Sequence, residues 1–195
     1  MKYIKSYLND VSKISKNIDK KKLMEIIELI SLIKKNNGNL FFLGAGGSAG
    51  NASHAVNDFR KLANISSFSP TDNISELTAR VNDEGWNNFY VDWLKVINLK
   101  KEDLIAIFSV GGGDINRNVS VGLVNAVKYA KKRGIKTISF TSNKKGFCYK
   151  NCDVSIFIPY FNKKRITPYS ESFQSILWHL IVTHPMIKQN KMKWE

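Results

Sequence analysis

Cysteine is nearly absent from this chain: there are two in 195 residues, Cys148 and Cys152, four apart and without a matching CxxC pair. That spacing fits neither a zinc ribbon nor a disulfide framework, so both read as free thiols. Long apolar runs are missing as well. The longest, such as Leu40–Leu43 and Leu104–Phe108, fall far short of the roughly 20 residues that a membrane span needs. Met1–Ser6 lacks the apolar stretch of a secretory signal. The expectation is a cytoplasmic chain with no membrane partner. Internal repeats, low-complexity segments and linkers are also lacking.

Acidic residues are few, 16 against 30 lysines and arginines, which leaves a formal charge of +14. Clustered cations recruit phosphate backbones through counterion release, yet here they are mostly lysines scattered over 13–35, 95–101, 128–136 and the two ends. Ile, Leu and Asn lie between them rather than aromatic platforms, so the reading is a solvated lysine-rich surface and no nucleic-acid partner. Attraction of anionic substrates is a side effect of such a surface.

The length and the 43% hydrophobic content suit one domain with a sizeable core, residues 1–36 forming a helical lead-in and 37–195 an α/β core. Apolar positions at helical spacing over Tyr3–Lys35 predict two amphipathic helices parted near Asn17–Lys20. Asn37-Gly38 stops the second, and Leu40–Leu43 has the wholly apolar character of a buried parallel strand. Strand-like and helix-like segments then alternate: helix 49–62, strand 65–68, helix 86–97, strand 104–108, helix 119–133, strands 137–140 and 154–158, and helix 170–183. That order predicts a doubly wound parallel sheet with helices on both faces. Ligands bind such sheets at the carboxyl ends of the strands, which directs attention to loops 44–48, 69–78, 109–118, 141–145 and 160–168.

Gly44-Ala45-Gly46-Gly47-Ser48-Ala49-Gly50 follows a predicted strand and opens a predicted helix, where small residues let backbone N–H groups approach an anion. It has neither the Lys of a Walker loop nor the GxGxxG spacing. A tight strand-to-helix turn would read the same way. Ser109-Val110-Gly111-Gly112-Gly113-Asp114 repeats the arrangement after another strand, and two such loops at one sheet edge strengthen the phosphate reading over that of a flexible turn.

His54 and Asp58 stand four apart on one predicted helix, so they share a face. Glu171 and His179, eight apart on the last helix, also share a face at the helical period. Two histidines and two carboxylates on facing helices can ligate a divalent metal or serve as an acid–base pair. Thr71–Asp83 is dense in groups that bond sugar hydroxyls, although Asp, Asn and Ser equally favour turns and helix caps. His184 reads as a helix terminus.

These separated motifs, in this order, resemble the sugar isomerase (SIS) domain proteins and, within them, the phosphoheptose isomerases. The resemblance runs from the helical lead-in through Leu43–Ala49, the Leu-Thr-Ala and Asn-Asp elements of Thr71–Asp83, and Phe108-Ser109 to the His179 helix. It implies a five-stranded parallel sheet, a homotetramer with sites at subunit interfaces, a bound zinc ion, and conversion of sedoheptulose 7-phosphate to a manno-heptose 7-phosphate for surface polysaccharide. Carried over by position, the resemblance places Ser48 and Ser109 on the phosphate; Gly46, Gly47, Asn51, Thr78 and Asn82 complete the candidate substrate-binding set, with the amides of Gly111, Gly112 and Gly113 and the Asn116 side chain as substitutes for hydroxyls of the second loop. It places His54, Asp58, Glu171 and His179 on metal and acid–base positions and gives Asp83 a catalytic part at the open sugar chain or in ring opening; Asp58 and His179 are the candidate acid–base groups of an enediolate mechanism. The chain departs from the family at Asp58, where Glu is typical, at Glu171, where Gln is typical, and at Gly111–Gly113, where Ser and Thr are typical. A non-catalytic SIS module that binds a sugar phosphate or a protein partner, or an isomerase of another sugar phosphate, remains the alternative; retention of all four ionisable residues favours an enzyme.

Overall fold

A computed structural model describes residues 1–195. Two helices lead in, α1 (Lys2–Lys16) and α2 (Lys20–Lys35), parted at the predicted place because the Asp19 carboxylate caps the amides of Lys21 and Lys22. Then follow β1 (Leu40–Leu43), α3 (Gly47–Ala63), β2 (Ser67–Phe68), α4 (Ile74–Glu84), α5 (Phe89–Val96), β3 (Leu104–Phe108), α6 (Val121–Lys132), β4 (Lys136–Thr141), α7 (Phe147–Asn151) and β5 (Val154–Phe157). A single 3-10 turn, Lys163–Arg165, precedes α8 (Ile166–Thr183). The five strands are all parallel, in the order β2-β1-β3-β4-β5. The doubly wound sheet expected from the sequence is the fold observed.

Side chains alternate across β1 and both faces are apolar. Leu40 and Phe42 point into a core with Ala52, Val56 and Phe59 of α3, Ile26 and Ile30 of α2, and Phe173, Leu177 and Ile181 of α8. Phe41 and Leu43 point the other way, into a smaller core with Phe89 and Trp93 of α5, Leu123 and Val127 of α6, and Cys148 of α7. This two-sided burial is why the strands read as continuous apolar runs rather than as alternating ones.

Beyond shifts of one to three residues at other ends, four elements depart from the sequence expectation, each for a local reason. Residues 74–84 form α4, capped by the Asn73 side chain on the amides of Ser75 and Glu76, so half of the loop expected over 69–78 is helix. The last helix begins at Ile166, not Ser170; Pro168 falls in its first turn, where no intrahelical N–H is needed. The five-residue α7 is too short to show helical periodicity in sequence. The edge strand β2 shrinks to two residues because only Leu40 and Phe41 of β1 pair with it.

Asp103 holds the amino edge of the sheet together. It is 1% exposed and accepts hydrogen bonds from the Asn39 amide (2.8 Å), the Asn39 side chain (2.9 Å) and the Lys100 amide (2.7 Å). Asp103→Ala leaves these part-buried donors without their acceptor and should cost about 1–3 kcal/mol of stability, read as a lower urea midpoint at unchanged slope.

Candidate functional site

The strand order reverses direction between β1 and β3, so the crevice at their carboxyl ends is the switch point of the sheet. Both glycine loops open there. In the first, Gly46 has φ +61, which a glycine adopts without strain. A Cβ on Gly44 would meet the Ser48 carbonyl at 2.4 Å, so that turn needs glycine to close. Gly47 and Ser48 begin α3, and their amides have no intrahelical acceptor. The Gly44 carbonyl accepts the buried Tyr90 hydroxyl at 2.7 Å, and burial pushes that phenol well above its usual pKa.

From this loop α3 and α8 run side by side in the same direction. Glu171 lies beside Gly47, where its carboxylate occupies the space a Cβ would need. Next along the helices, the buried Gln174 accepts from the Ser48 hydroxyl (2.9 Å) and from the Asn51 amide (3.4 Å), and Asn51 also donates to the Glu171 carbonyl at 2.9 Å. Further on, the Trp178 indole N–H donates to the Asn51 side-chain oxygen at 3.4 Å. Last come His54, Asp58 and His179, whose ligand atoms lie within 4.8 Å of one another.

Asp58 Oδ2 is 3.9 Å from His54 Nε2 and 3.8 Å from His179 Nε2. Its other oxygen accepts from the Asn57 amide at 2.8 Å. His179 Nδ1 is 2.8 Å from the Ser175 carbonyl, which can only accept, so the proton sits on Nδ1 and Nε2 presents its lone pair to Asp58. Ligand atoms around a tetrahedral zinc lie roughly 3.3 Å apart, so a small closure of these three would hold a divalent cation and leave a coordination position open. The donor set, two imidazoles and a carboxylate, also suits zinc. Asp58 is largely covered, whereas the two imidazoles are about half exposed.

Glu171, expected among the metal ligands, is not in this cluster. Eight residues do return to the same helix face, but they advance about 12 Å along the axis, and this puts Glu171 at the glycine loop and His179 at the far end. Ser48 and Ser109, expected to contact phosphate, are 2% and 6% exposed: the first donates its hydroxyl to Gln174, and the second accepts the Gly112 amide at 3.0 Å. The second glycine loop is a packed junction. The Gly112 and Gly113 carbonyls accept the Cys148 and Phe147 amides, and Gly146 approaches so closely that its Cβ would lie 2.3 Å from the Gly111 carbonyl. Asn116 lies beyond it, lining a cavity of about 310 Å³ with Asp114, Lys145 and Lys150.

Thr78, Asn82 and Asp83 are exposed on α4, which packs against α5 on the opposite sheet face from α3 and α8. Thr78 bonds back to the Ile74 carbonyl, and the Asn82 amide is spent on the Asp83 carboxylate. Within one chain the fold therefore does not bring Asp83 to His54, Asp58 and His179. Sequence reasoning passed over Gln174 and Trp178. A glutamine within the apolar run Phe173–Leu177 was the available signal for the first; nothing in sequence marked the second.

The profile of the SIS domain family matches residues 2–142. The chain belongs to the SIS domain family. Among curated relatives of this SIS chain, the phosphoheptose isomerase of Thermodesulfovibrio yellowstonii is 27% identical over 82% of this chain and 78% of its own. That of Aliarcobacter butzleri is 27% identical over 91% and 94%. Among solved structures, the phosphoheptose isomerase of Neisseria gonorrhoeae superposes with a TM-score of 0.78 at 21% identity, covering 92% of this chain and 96% of its own. No helix of the SIS chain is long and apolar enough to cross a membrane.

The cysteines of this SIS domain stand apart from the cluster. Burial pushes the Cys148 thiol far up and that of Cys152 to about 11, leaving roughly one Cys152 in a thousand as thiolate at pH 8. Both should resist iodoacetamide at pH 8 in the folded protein and react fully once it is denatured, as read by intact mass.

Proposed function

We propose that this chain is an aldose–ketose isomerase that converts sedoheptulose 7-phosphate to D-glycero-D-manno-heptose 7-phosphate through an enediolate. The observation that carries this reading is the convergence of His54, Asp58 and His179 on the flank of a switch-point glycine loop. The seven residues from Gly47 to His54 span about 10 Å along α3, the reach of an extended seven-carbon chain with a terminal phosphate. The relatives named phosphoheptose isomerase, matched over most of their length, support the same substrate.

In this reading the phosphate lies at the free amides that open α3, and carbons 1 and 2 lie at the triad. Asp58 takes the proton from carbon 1, beside the carbonyl, and returns it to carbon 2, while the hydroxyl proton on the oxygen of carbon 1 passes to the oxygen of carbon 2, so that ketose becomes aldose with no net gain or loss of protons. Its Oδ1, oriented by Asn57, is the oxygen available for this, because Oδ2 faces the imidazoles. The Nε2 atoms of His54 and His179 face Oδ2, at 3.9 and 3.8 Å, and with it form the donor set for the cation. A divalent cation held by His54, Asp58 and His179, zinc in our reading, would supply charge to the two oxygens that become the enediolate.

We read the whole chain as one SIS unit of a cytoplasmic homotetramer whose sites lie at subunit interfaces, serving synthesis of surface polysaccharide heptose. Two observations support the assembly. Ile176 and Leu180, flanking His179 on α8, are 47% and 42% exposed, a costly apolar display beside a polar cluster. Asp83, Asn82 and Thr78, remote from the triad of their own chain, are exposed and free to face that of another copy.

The test is proton NMR in deuterated water with sedoheptulose 7-phosphate. Aldose carrying solvent deuterium at carbon 2 is the expected product, lost on chelation and restored by zinc. Asp58→Asn and His179→Ala should each lower turnover by about 10²–10⁴-fold while the fold persists by circular dichroism. Normal turnover in both variants would remove the assignment of roles. No conversion by the folded wild type would point to another sugar phosphate or to a binding module.

A further inference from the structure

We infer that Trp178 is a positioning residue for the metal cluster, and that it sets both imidazoles at once. The inference rests on the metal reading above and concerns a residue that none of the chemistry so far has used. Trp178 is 1% exposed. Its ring meets His54 at 4.7 Å between centroids with a 65° interplanar angle, and it stacks on His179 at 3.5 Å and 27°. The two histidines are themselves 5.3 Å apart at 89°.

The stacking on His179 is unusual for a helix. Consecutive helical side chains point about 100° apart and do not normally face each other. Here both rings turn toward α3, and the His179 ring is pinned twice, by the indole face and by the Ser175 carbonyl at Nδ1. With the plane and the tautomer both set, Nε2 can only point at Asp58. The His54 ring is oriented by no hydrogen bond and is the more exposed of the two; its edge-to-face contact with the indole is what limits its rotation.

The indole is held in turn. Its N–H donates to Asn51, and Asn51 bonds to Gln174 and to the Glu171 carbonyl. Gln174 accepts the Ser48 hydroxyl. One buried polar seam therefore runs from the glycine loop to the imidazoles, and Trp178 is its last member. Partners that orient metal-bound histidines typically change metal affinity by 10–100-fold when removed, which gives the inference a measurable size.

The probe is cobalt(II), whose visible absorption reports coordination geometry without any turnover. Wild type, Trp178→Phe and Trp178→Leu are titrated with cobalt in competition with a chelating dye, with folding checked by circular dichroism and thermal melting. Trp178→Leu should bind cobalt about 10–100-fold more weakly with an altered visible band. Trp178→Phe keeps a ring but lacks the N–H and should fall between Trp178→Leu and wild type. If Trp178→Leu does not fold, Trp178→Phe decides alone: weaker binding with a shifted band supports the inference, and wild-type affinity and spectrum overturn it. Unaltered binding by a folded Trp178→Leu overturns it as well. A wild type that takes up no cobalt overturns the metal reading and this inference with it, so the two failures are told apart.

Discussion

Gln174 is an amide buried completely between two helices and the sheet, and the parallel packing of α3 on α8 depends on its being satisfied. A buried amide without partners would cost several kcal/mol. Ser48 and Asn51 on α3 offer a donor each at one register of the two helices, so a slide of α8 by a single turn would strand all three. Apolar packing alone, here Phe59, Phe173 and Leu177, tolerates such slides because Leu- and Phe-sized knobs are interchangeable. The polar seam selects one register, and that register is the one in which His179 reaches His54 and Asp58.

The same seam explains the placement of Glu171. Fixing Gln174 against Ser48 puts the preceding turn of α8 beside Gly47, and only glycine at that position leaves room for a carboxylate. A negative group thus stands at the mouth of a loop whose free amides favour anions. The +14 charge of the chain opposes that local repulsion at long range. Arg165 near the start of α8 is engaged elsewhere, tying α1 to the core through Asp10 at 3.3 Å, with the Tyr169 hydroxyl also on Asp10 at 2.9 Å. The lead-in helix is in this way fastened to the helix that carries His179.

Much of the fold was legible in sequence because parallel strands buried on both faces leave a strong signal: Leu40–Leu43 and Leu104–Phe108 could hardly be anything else. Glycine-rich loops following them marked the carboxyl edge of the sheet, where its switch point lies. Elements with weak periodicity were not legible. The stretch from Thr71 to Asp83 is rich in residues that serve caps, turns and ligands alike, and only the Asn73 cap shows that it is a helix. The triple glycine at 111–113 reads as a ligand loop in sequence; in the fold Gly112 and Gly113 take positive φ, +69 and +79, and a Cβ on Gly113 would meet Val124 at 2.5 Å, whereas Gly111 has open space around it.

By itself the sequence determined the strand order's raw material, the pairing of His54 with Asp58, and the helix face that His179 occupies, because these follow from periodicities of two and 3.6 residues. It did not determine depth along a helix axis relative to a neighbour. Glu171 and His179 share a face, but which of them meets Asp58 is decided by the register of α8 on α3, and that register is a property of contacts far apart in the chain. The tertiary structure chose His179, turned the Ser48 hydroxyl inward and made Trp178 the wall of the cluster. Local pattern fixes direction; the packing of two helices against one sheet fixes distance.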